Sequence, residues 1–150
     1  MSKVGRAAYS ASRARLEVVT ADKTISKNES GELYAVMYEG EGALTITLPS
    51  DAEEGTRYNF WIPVSPGSNI VLSSPAMFAG AVSWAYGGAG TGVVFQVMAN
   101  AGDNTLTLDN DTESGSWIDC VYSTQNSATG EWFICGFISA ATTPAFTTVA

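Results

Sequence analysis

Short stretches of strictly alternating apolar and polar residues recur along this chain of 150 residues. Leu44–Leu48 and Thr105–Leu108 alternate at every position, and Tyr58–Ile62 has a continuous apolar face made of its tyrosine, phenylalanine and isoleucine. A period of two places alternate side chains on one face of a β-strand. No amphipathic helical pattern longer than about three turns competes with it, although Ala7–Leu16 is compatible with a short helix.

Eight further segments are rich in β-branched and aromatic residues, which favours strands. They are Leu16–Thr20, Thr24–Ser26, Leu33–Tyr38, Asn69–Ser73, Ala81–Ala85, Val93–Met98, Trp117–Tyr122 and Trp132–Ile138. Turn residues such as glycine, proline and asparagine separate them at intervals of about 8–12 residues. This spacing predicts an all-β domain, either an antiparallel β-sandwich, a jelly roll or a barrel.

Charge is distributed unevenly, although the net charge of −8 argues against a general nucleic-acid-binding protein. Residues 1–27 contain six of the seven basic residues, and Arg57 is the only basic residue after them. We therefore divide the chain into a basic N-terminal arm (1–15), a single β domain (16–138) and an uncharged C-terminal tail (139–150). The arm is either frayed peptide or a segment that becomes ordered on a partner or on a neighbouring copy.

The composition excludes several kinds of chemistry. The chain contains no histidine, which removes Ser-His-Asp and Cys-His nucleophile systems, and its two cysteines cannot form a four-cysteine zinc site. A carboxylate pair for glycoside cleavage is conceivable among fifteen acidic residues, but most of them lie in predicted turns. No apolar run approaches the ~20 residues that span a bilayer. We expect no enzyme activity, no metal, no cofactor and no membrane association.

Two loops resemble known ligand-binding loops only in part. Asp109–Gly115 has oxygen ligands at the first, third and fifth positions of a calcium loop, but Ser114 and Cys120 occupy its required glycine and glutamate positions. An acidic hairpin turn is the preferred interpretation. Gly87–Gly92 lacks the lysine and the following helix of a phosphate-binding loop, so we interpret it as a flexible loop between strands.

Cys120 and Cys135 lie in two strands joined by a turn around Ser127 and Ala128. Symmetric antiparallel pairing about that turn would place the two thiols opposite each other. Buried free thiols are preferred over a disulfide, because the N-terminus lacks the continuous apolar segment of a secretion signal.

The four tryptophans, Trp61, Trp84, Trp117 and Trp132, could stack on sugar rings, but packing in the core or in an interface is the preferred role. Trp61 points away from Phe60 and Ile62, so both faces of its strand are apolar. Such a strand is either central in a sandwich or covered by another subunit.

Two stretches resemble small structural proteins of tailed bacteriophage virions. The first is Leu44–Asp51 followed by Tyr58–Ile62, an alternating strand with a Leu-Pro turn before an aromatic strand. The second is Gly115–Tyr122 followed by Gly130–Gly136, which is similar to the closing hairpin of those proteins. The resemblance covers about residues 30–140 and is to capsid decoration (cement) proteins or related head-fibre and tail-fibre modules.

The resemblance implies a homotrimer on the outer capsid surface that contacts the major capsid protein and has no catalytic residues. It also implies that the arm helps to bind the capsid, through Lys3, Arg6, Arg13 and Arg15. Because the body is poor in basic residues, subunit contacts would be apolar, with candidate residues Tyr34, Tyr38, Trp61 and Phe146. A fibre module that binds a receptor or a glycan is the alternative.

Overall fold

The computed structural model describes residues 15–86 and 94–148. Their strands are β1 (Leu16–Val19), β2 (Lys23–Thr24), β3 (Leu33–Val36), β4 (Leu44–Thr47), β5 (Arg57–Ile62), β6 (Ile70–Ser73), β7 (Met77–Tyr86), β8 (Val94–Met98), β9 (Thr105–Leu108), β10 (Ser116–Ser123), β11 (Glu131–Ala140) and β12 (Ala145–Thr147). All eleven predicted segments overlap an observed strand.

Two sheets pack against each other across one apolar core, which confirms the all-β prediction and its sandwich form. The larger sheet has seven strands in the order β1-β3-β5-β10-β11-β7-β8. The smaller sheet has five strands in the order β12-β9-β6-β4-β2. Each alternating segment contributes its apolar face to the space between the sheets, as a period of two requires.

The first six strands wind between the two sheets, with odd-numbered strands in the larger sheet and even-numbered strands in the smaller. Each strand therefore pairs parallel with the strand two places along the chain, as β3 does with β5 and β4 with β6. The prediction of a purely antiparallel sandwich is wrong for this half. The chain crosses to the other sheet after every strand, so it runs in the same direction each time it comes back to a given sheet. Successive strands of that sheet are therefore parallel.

The second half closes the sandwich mainly with antiparallel pairs, including β10 with β11, β7 with β8 and β9 with β12. The predicted C-terminal tail is partly wrong. Strand β11 continues to Ala140, and Phe146 of β12 pairs opposite Leu106 of β9. Ala145–Thr147 of the uncharged segment are therefore part of the smaller sheet.

Aromatic side chains fill the centre of the core. Trp132, Tyr34 and Tyr58 are the largest fully buried side chains. The ring centroid of Tyr58 lies 5.6 Å from that of Trp132 and 6.2 Å from that of Tyr34. Burial raises the pKa of both tyrosines. Each such ring stabilises the fold by about 1.5–3 kcal/mol relative to an exposed one.

The β10–β11 connection depends on a glycine at Gly130, whose φ is +72°. Its Cα lies against the ring of Tyr122, whose hydroxyl donates a hydrogen bond to the carbonyl of Thr129 at 3.1 Å. A Cβ at this position would collide with that hydroxyl. The turn therefore needs both the left-handed backbone and the absence of a side chain.

The two cysteines do not face each other. Cys120 pairs opposite Ile134 and is buried, whereas Cys135 pairs opposite Asp119 and is exposed on the outer side of the sheet. Both thiols are free, as expected, but the predicted juxtaposition is wrong, and so is the burial of Cys135. The register differs by one residue from symmetric pairing, and a slip of one residue moves a side chain to the opposite face.

The described residues contain one short helical turn, a 3₁₀ helix at Lys27–Glu29 capped by Ser26. None of the helical structure in these residues is long and apolar enough to cross a membrane. The short helix considered for Ala7–Leu16 lies outside the described residues, except for Arg15 and Leu16, and Leu16 begins β1.

Candidate binding surface

Three large aromatic side chains lie side by side on the outer face of the seven-stranded sheet. Trp61 of β5 pairs opposite Trp117 of β10, which pairs opposite Phe137 of β11. The alternation of each strand turns these three side chains away from the core. We call Trp61, Trp117 and Phe137 the aromatic row.

The aromatic row is open to solvent. Trp61 and Trp117 are 42% and 44% exposed. Toward the β1 edge, Trp61 pairs opposite Ala35, which is buried, and Ala35 pairs opposite Val18, which is 52% exposed. Phe133, 36% exposed, lies four residues before Phe137 on the same face of β11. Aromatic side chains bury the most apolar area per residue, so a continuous group of them offers a large gain to a partner that covers it.

Strands β5, β10 and β11 carry this surface because their outer faces, as well as their inner faces, include large apolar side chains. In β10, Ile118 and Cys120 face the core while Trp117 and Val121 face outward. In the sequence, this property is identified for the strand of Trp61 alone. The same pattern was available in Trp117–Tyr122 and Trp132–Ile138, but it indicates a shared surface only once the strands are known to be neighbours.

A single ion pair lies beside the aromatic row. Arg57 donates two hydrogen bonds to Asp119, from Nε to Oδ1 at 2.9 Å and from a terminal nitrogen to Oδ2 at 2.6 Å. Asn59 donates a third, to Oδ1 at 2.9 Å. The hydrogen bonds and charge of Asp119 raise the pKa of Arg57. This bidentate geometry fixes the orientation of both side chains, so the polar group is compatible with an ordered interface.

The thiol of Cys135 lies beside this ion pair. Partial burial and the negative charge of Asp119 raise its pKa, and the nearby Arg57 opposes them. The thiol is therefore largely protonated at neutral pH, which is unfavourable for a nucleophile. Burial raises the pKa of Cys120 further.

A groove of about 360 Å³ adjoins the β1 end of the aromatic row. Val18, Met37 and Val64 supply its apolar lining. Tyr38 and Glu39 supply polar groups, and the hydroxyl of Tyr38 donates to the carbonyl of Glu41 at 2.9 Å. Val18, which lines the groove, and Trp61 of the aromatic row pair on opposite sides of the buried Ala35.

Basic side chains of the same chain pair with each member of an acidic cluster near β1. Carboxylate oxygens of Glu17, Glu29 and Glu32 lie within 4.8 Å of one another. The ammonium of Lys23 contacts Glu17 and Glu29 at 2.8 and 2.9 Å, and Arg15 contacts Glu32 at 3.2 Å. Burial lowers the pKa of Lys23, but its two carboxylate partners outweigh burial and raise it. The cluster is therefore a set of ion pairs rather than a vacant cation site.

The acidic loop Asp109–Gly115 connects β9 in one sheet with β10 in the other, so it is not the hairpin turn expected for it. Two of its three carboxylates accept hydrogen bonds within the protein. Asp111 accepts a hydrogen bond from Thr142 at 2.7 Å, and Glu113 accepts one from Ser139. The glycine-rich loop connects β7 and β8, as the sequence suggested, and positions 87–93 lie outside the described residues.

The residues predicted to contact the capsid or another subunit lie in different environments. Of the arm, Lys3, Arg6 and Arg13 lie outside the described residues, whereas the side chain of Arg15 is 85% exposed and paired with Glu32.

Of the four candidate interface residues, Tyr34 is fully buried, so that prediction is wrong. Its aromatic character indicated surplus hydrophobic surface, but the alternation of β3 turns it into the core. Tyr38 lines the groove and Trp61 belongs to the aromatic row. Phe146 packs edge-on against Phe78 and is partly buried.

Comparison with known proteins found no match among protein-family models, curated proteins or solved structures.

Proposed function

We propose that this chain is a structural virion protein without catalytic function. It binds the outer surface of a bacteriophage capsid as a homotrimer and stabilises it. The observation that carries this proposal is the aromatic row, a large apolar surface on a rigid sheet that one copy leaves open. The sequence resemblance to capsid decoration proteins supports the choice of a capsid.

The aromatic row is the proposed subunit interface. A three-fold axis brings the same face of three copies together, so the apolar surface of each is removed from water. The Arg57–Asp119 ion pair then lies at the margin of the interface and restricts the relative orientation of the copies.

The basic arm is the proposed capsid contact. It leaves the domain at Arg15, next to the edge strand β1, and its three other basic residues are Lys3, Arg6 and Arg13. A trimer presents three arms at once, so a modest affinity for each arm produces strong overall attachment.

Deletion of residues 1–14 tests the arm. This truncation retains Arg15, whose carbonyl accepts the N–H of Leu33 at 2.8 Å, so β1 keeps its connection to β3. We expect the truncated protein to remain folded, to keep the subunit number of the full-length protein by light scattering, and to lose cosedimentation with capsids of the encoding phage. A matched variant with glutamine at Lys3, Arg6 and Arg13 separates the charge of the arm from its length. Unchanged capsid binding by the truncated protein would refute the role of the arm, and a monomeric full-length protein would refute the trimer.

A glycan-binding fibre module is the second candidate. The side-by-side arrangement of Trp61 and Trp117, with the polar group of Asn59 and Asp119 in the adjacent row, suits stacking of a sugar ring with hydrogen bonds at its edge. Titration of tryptophan fluorescence with a panel of oligosaccharides tests it. A saturable change that disappears in Trp117→Thr would favour this candidate, and no change with any member of the panel would count against it.

A further inference from the structure

Strand β8 is an unusual sheet edge. The four edge strands of the described sheets are β1, β8, β2 and β12. Strand β1 contains Glu17, while β2 and β12 have only two and three residues. Strand β8 is five residues long and consists of Val-Phe-Gln-Val-Met, with no charge and no proline. Proteins normally protect an exposed edge with charge, proline or shortness, and the other three edges use charge or shortness.

Exposed apolar side chains lie on both faces of β8. Val94 and Met98 on the outer face are 56% and 66% exposed. Phe95 on the inner face is 50% exposed, and its ring lies 5.4 Å from that of Trp84. The edge and its flanking side chains thus form one uncharged surface.

The register of β7 with β8 determines which backbone groups of β8 are unpaired. The N–H of Ala99 donates to the carbonyl of Gly80, in line with the pairing of Val82 opposite Val97. Because hydrogen-bonded pairs alternate in an antiparallel ladder, Phe95 and Val97 direct their backbone groups toward β7. Val94, Gln96 and Met98 direct their N–H and C=O groups toward the open edge.

These outward groups are complementary to those of an identical strand. Antiparallel pairing centred on Gln96 places Gln96 opposite Gln96 and Val94 opposite Met98 of the second copy. Val94, Gln96 and Met98, whose N–H and C=O groups point toward the open edge, then lie opposite residues whose N–H and C=O groups also point across that edge. Each of these pairs therefore exchanges backbone hydrogen bonds. On the inner face Phe95 comes opposite Val97, which gives an apolar contact.

Charge also favours a second copy at this edge. Residues 28–150 contain one basic residue and thirteen acidic ones, so two copies repel each other over most of their surfaces. The uncharged β8 is a place where like copies can approach closely without bringing acidic groups together.

We propose that β8 pairs antiparallel with β8 of a second copy about a two-fold axis through Gln96, joining two seven-stranded sheets edge to edge. This interface is separate from the aromatic row and does not depend on the proposed function. A trimer formed through the aromatic row would become a hexamer by adding it, and a monomer would become a dimer.

The substitution Gln96→Lys tests the proposal in the full chain. It places two ammonium groups opposite each other at the axis while leaving the β7 pairing intact, because the backbone of Gln96 faces outward. Gln125→Lys is the matched control, since Gln125 is an exposed turn residue between β10 and β11. We expect the wild type and the control to have an even number of subunits by light scattering, and Gln96→Lys to have half that mass.

Wild-type protein with an odd number of subunits at high concentration would overturn the proposal, and so would an unchanged mass of Gln96→Lys. Hydrogen exchange on the wild type gives an independent result if the variant does not fold. The amides of Gln96 and Met98 should be protected at high protein concentration and exchange rapidly on dilution. Protection that does not depend on concentration would show that a segment of the same chain covers the edge, which also refutes pairing between copies.

Discussion

Replacement of both tryptophans of the aromatic row, Trp61→Thr with Trp117→Thr, should abolish trimer formation. Threonine favours strands, so the change removes apolar surface while keeping the backbone preference. A tryptophan side chain offers up to ~250 Å² for burial. At 42% and 44% exposure, each has about 100 Å² left to cover. At ~25 cal/mol per Å², complete coverage contributes about 2.5 kcal/mol per tryptophan.

The two tryptophans together account for about 5 kcal/mol of association per subunit, or nearly four orders of magnitude in Kd. Sedimentation velocity over a wide range of protein concentration measures this change. Circular dichroism verifies that the variant remains folded at the temperature used, because the covered parts of both rings also support the monomer.

Tyr86→Thr is the control, since Tyr86 is 44% exposed but lies on the opposite face of the sheet. It should leave the Kd of the trimer unchanged. If the double variant associates as strongly as the wild type, or if Tyr86→Thr weakens association equally, the aromatic row is not the subunit interface.

Three further predictions concern stability and reactivity. Gly130→Ala should lower the free energy of unfolding by about 2 kcal/mol or more, because it adds a collision to the strain of a positive φ. Gly31→Ala, with φ of +87° and open space, should cost only about 1 kcal/mol in the same urea titration; equal losses would refute the collision. Cys135 should react with iodoacetamide in the native protein more slowly than a free cysteine, since its pKa is raised, and mass spectrometry of peptides measures this; a faster reaction would contradict the assignment. Burial raises the pKa of Glu29, but Lys23 and a backbone N–H outweigh it and hold that pKa below 4.5. The ionised Glu29 therefore stabilises the fold above pH 4.5, and this contribution is lost as the pH falls through the lowered pKa of the folded state. Glu29→Gln should reduce the acid-induced loss of stability in urea titrations; an unchanged loss would contradict this.

Local patterns predicted the strands because alternation and turn residues are properties of a few neighbouring positions. Leu44–Leu48 and Thr105–Leu108 were assigned closely for that reason. Strand β12 was missed, since Ala145–Thr147 is too short to show a period, and its pairing with β9 comes from a distant part of the chain. A short uncharged segment becomes a strand because it pairs with another strand, and local sequence does not identify that partner.

Strand direction and register could not be predicted from local sequence patterns. The short turns suggested hairpins, but several of them carry the chain from one sheet to the other, and this makes β1, β3 and β5 parallel neighbours. The cysteine prediction failed for a related reason. The pairing expected from symmetry about the β10–β11 turn differs by one residue from the observed pairing. Because of that difference, Cys120 lies in the core and Cys135 lies on the surface.

The candidate surface was predictable in part, because Trp61 alone showed that one strand is apolar on both faces. Its neighbours Trp117 and Phe137 join it only through the order of strands in the sheet. Tyr34 was misassigned because aromatic composition does not reveal which face a side chain occupies. Candidate surfaces in such chains therefore require strand order as well as alternation.

The ion pairs of the domain determine what kinds of contact it can make. Each basic residue in the described part of the chain, Arg15, Lys23, Lys27 and Arg57, is already paired with an acidic residue. Attraction to an acidic partner must therefore come chiefly from the basic residues of the arm that precede Arg15. The domain itself can offer the aromatic row and the uncharged edge of β8. In the proposed assembly, the arm therefore supplies attraction to the partner and the sheet supplies association between copies, because charge and apolar surface are separated in the chain.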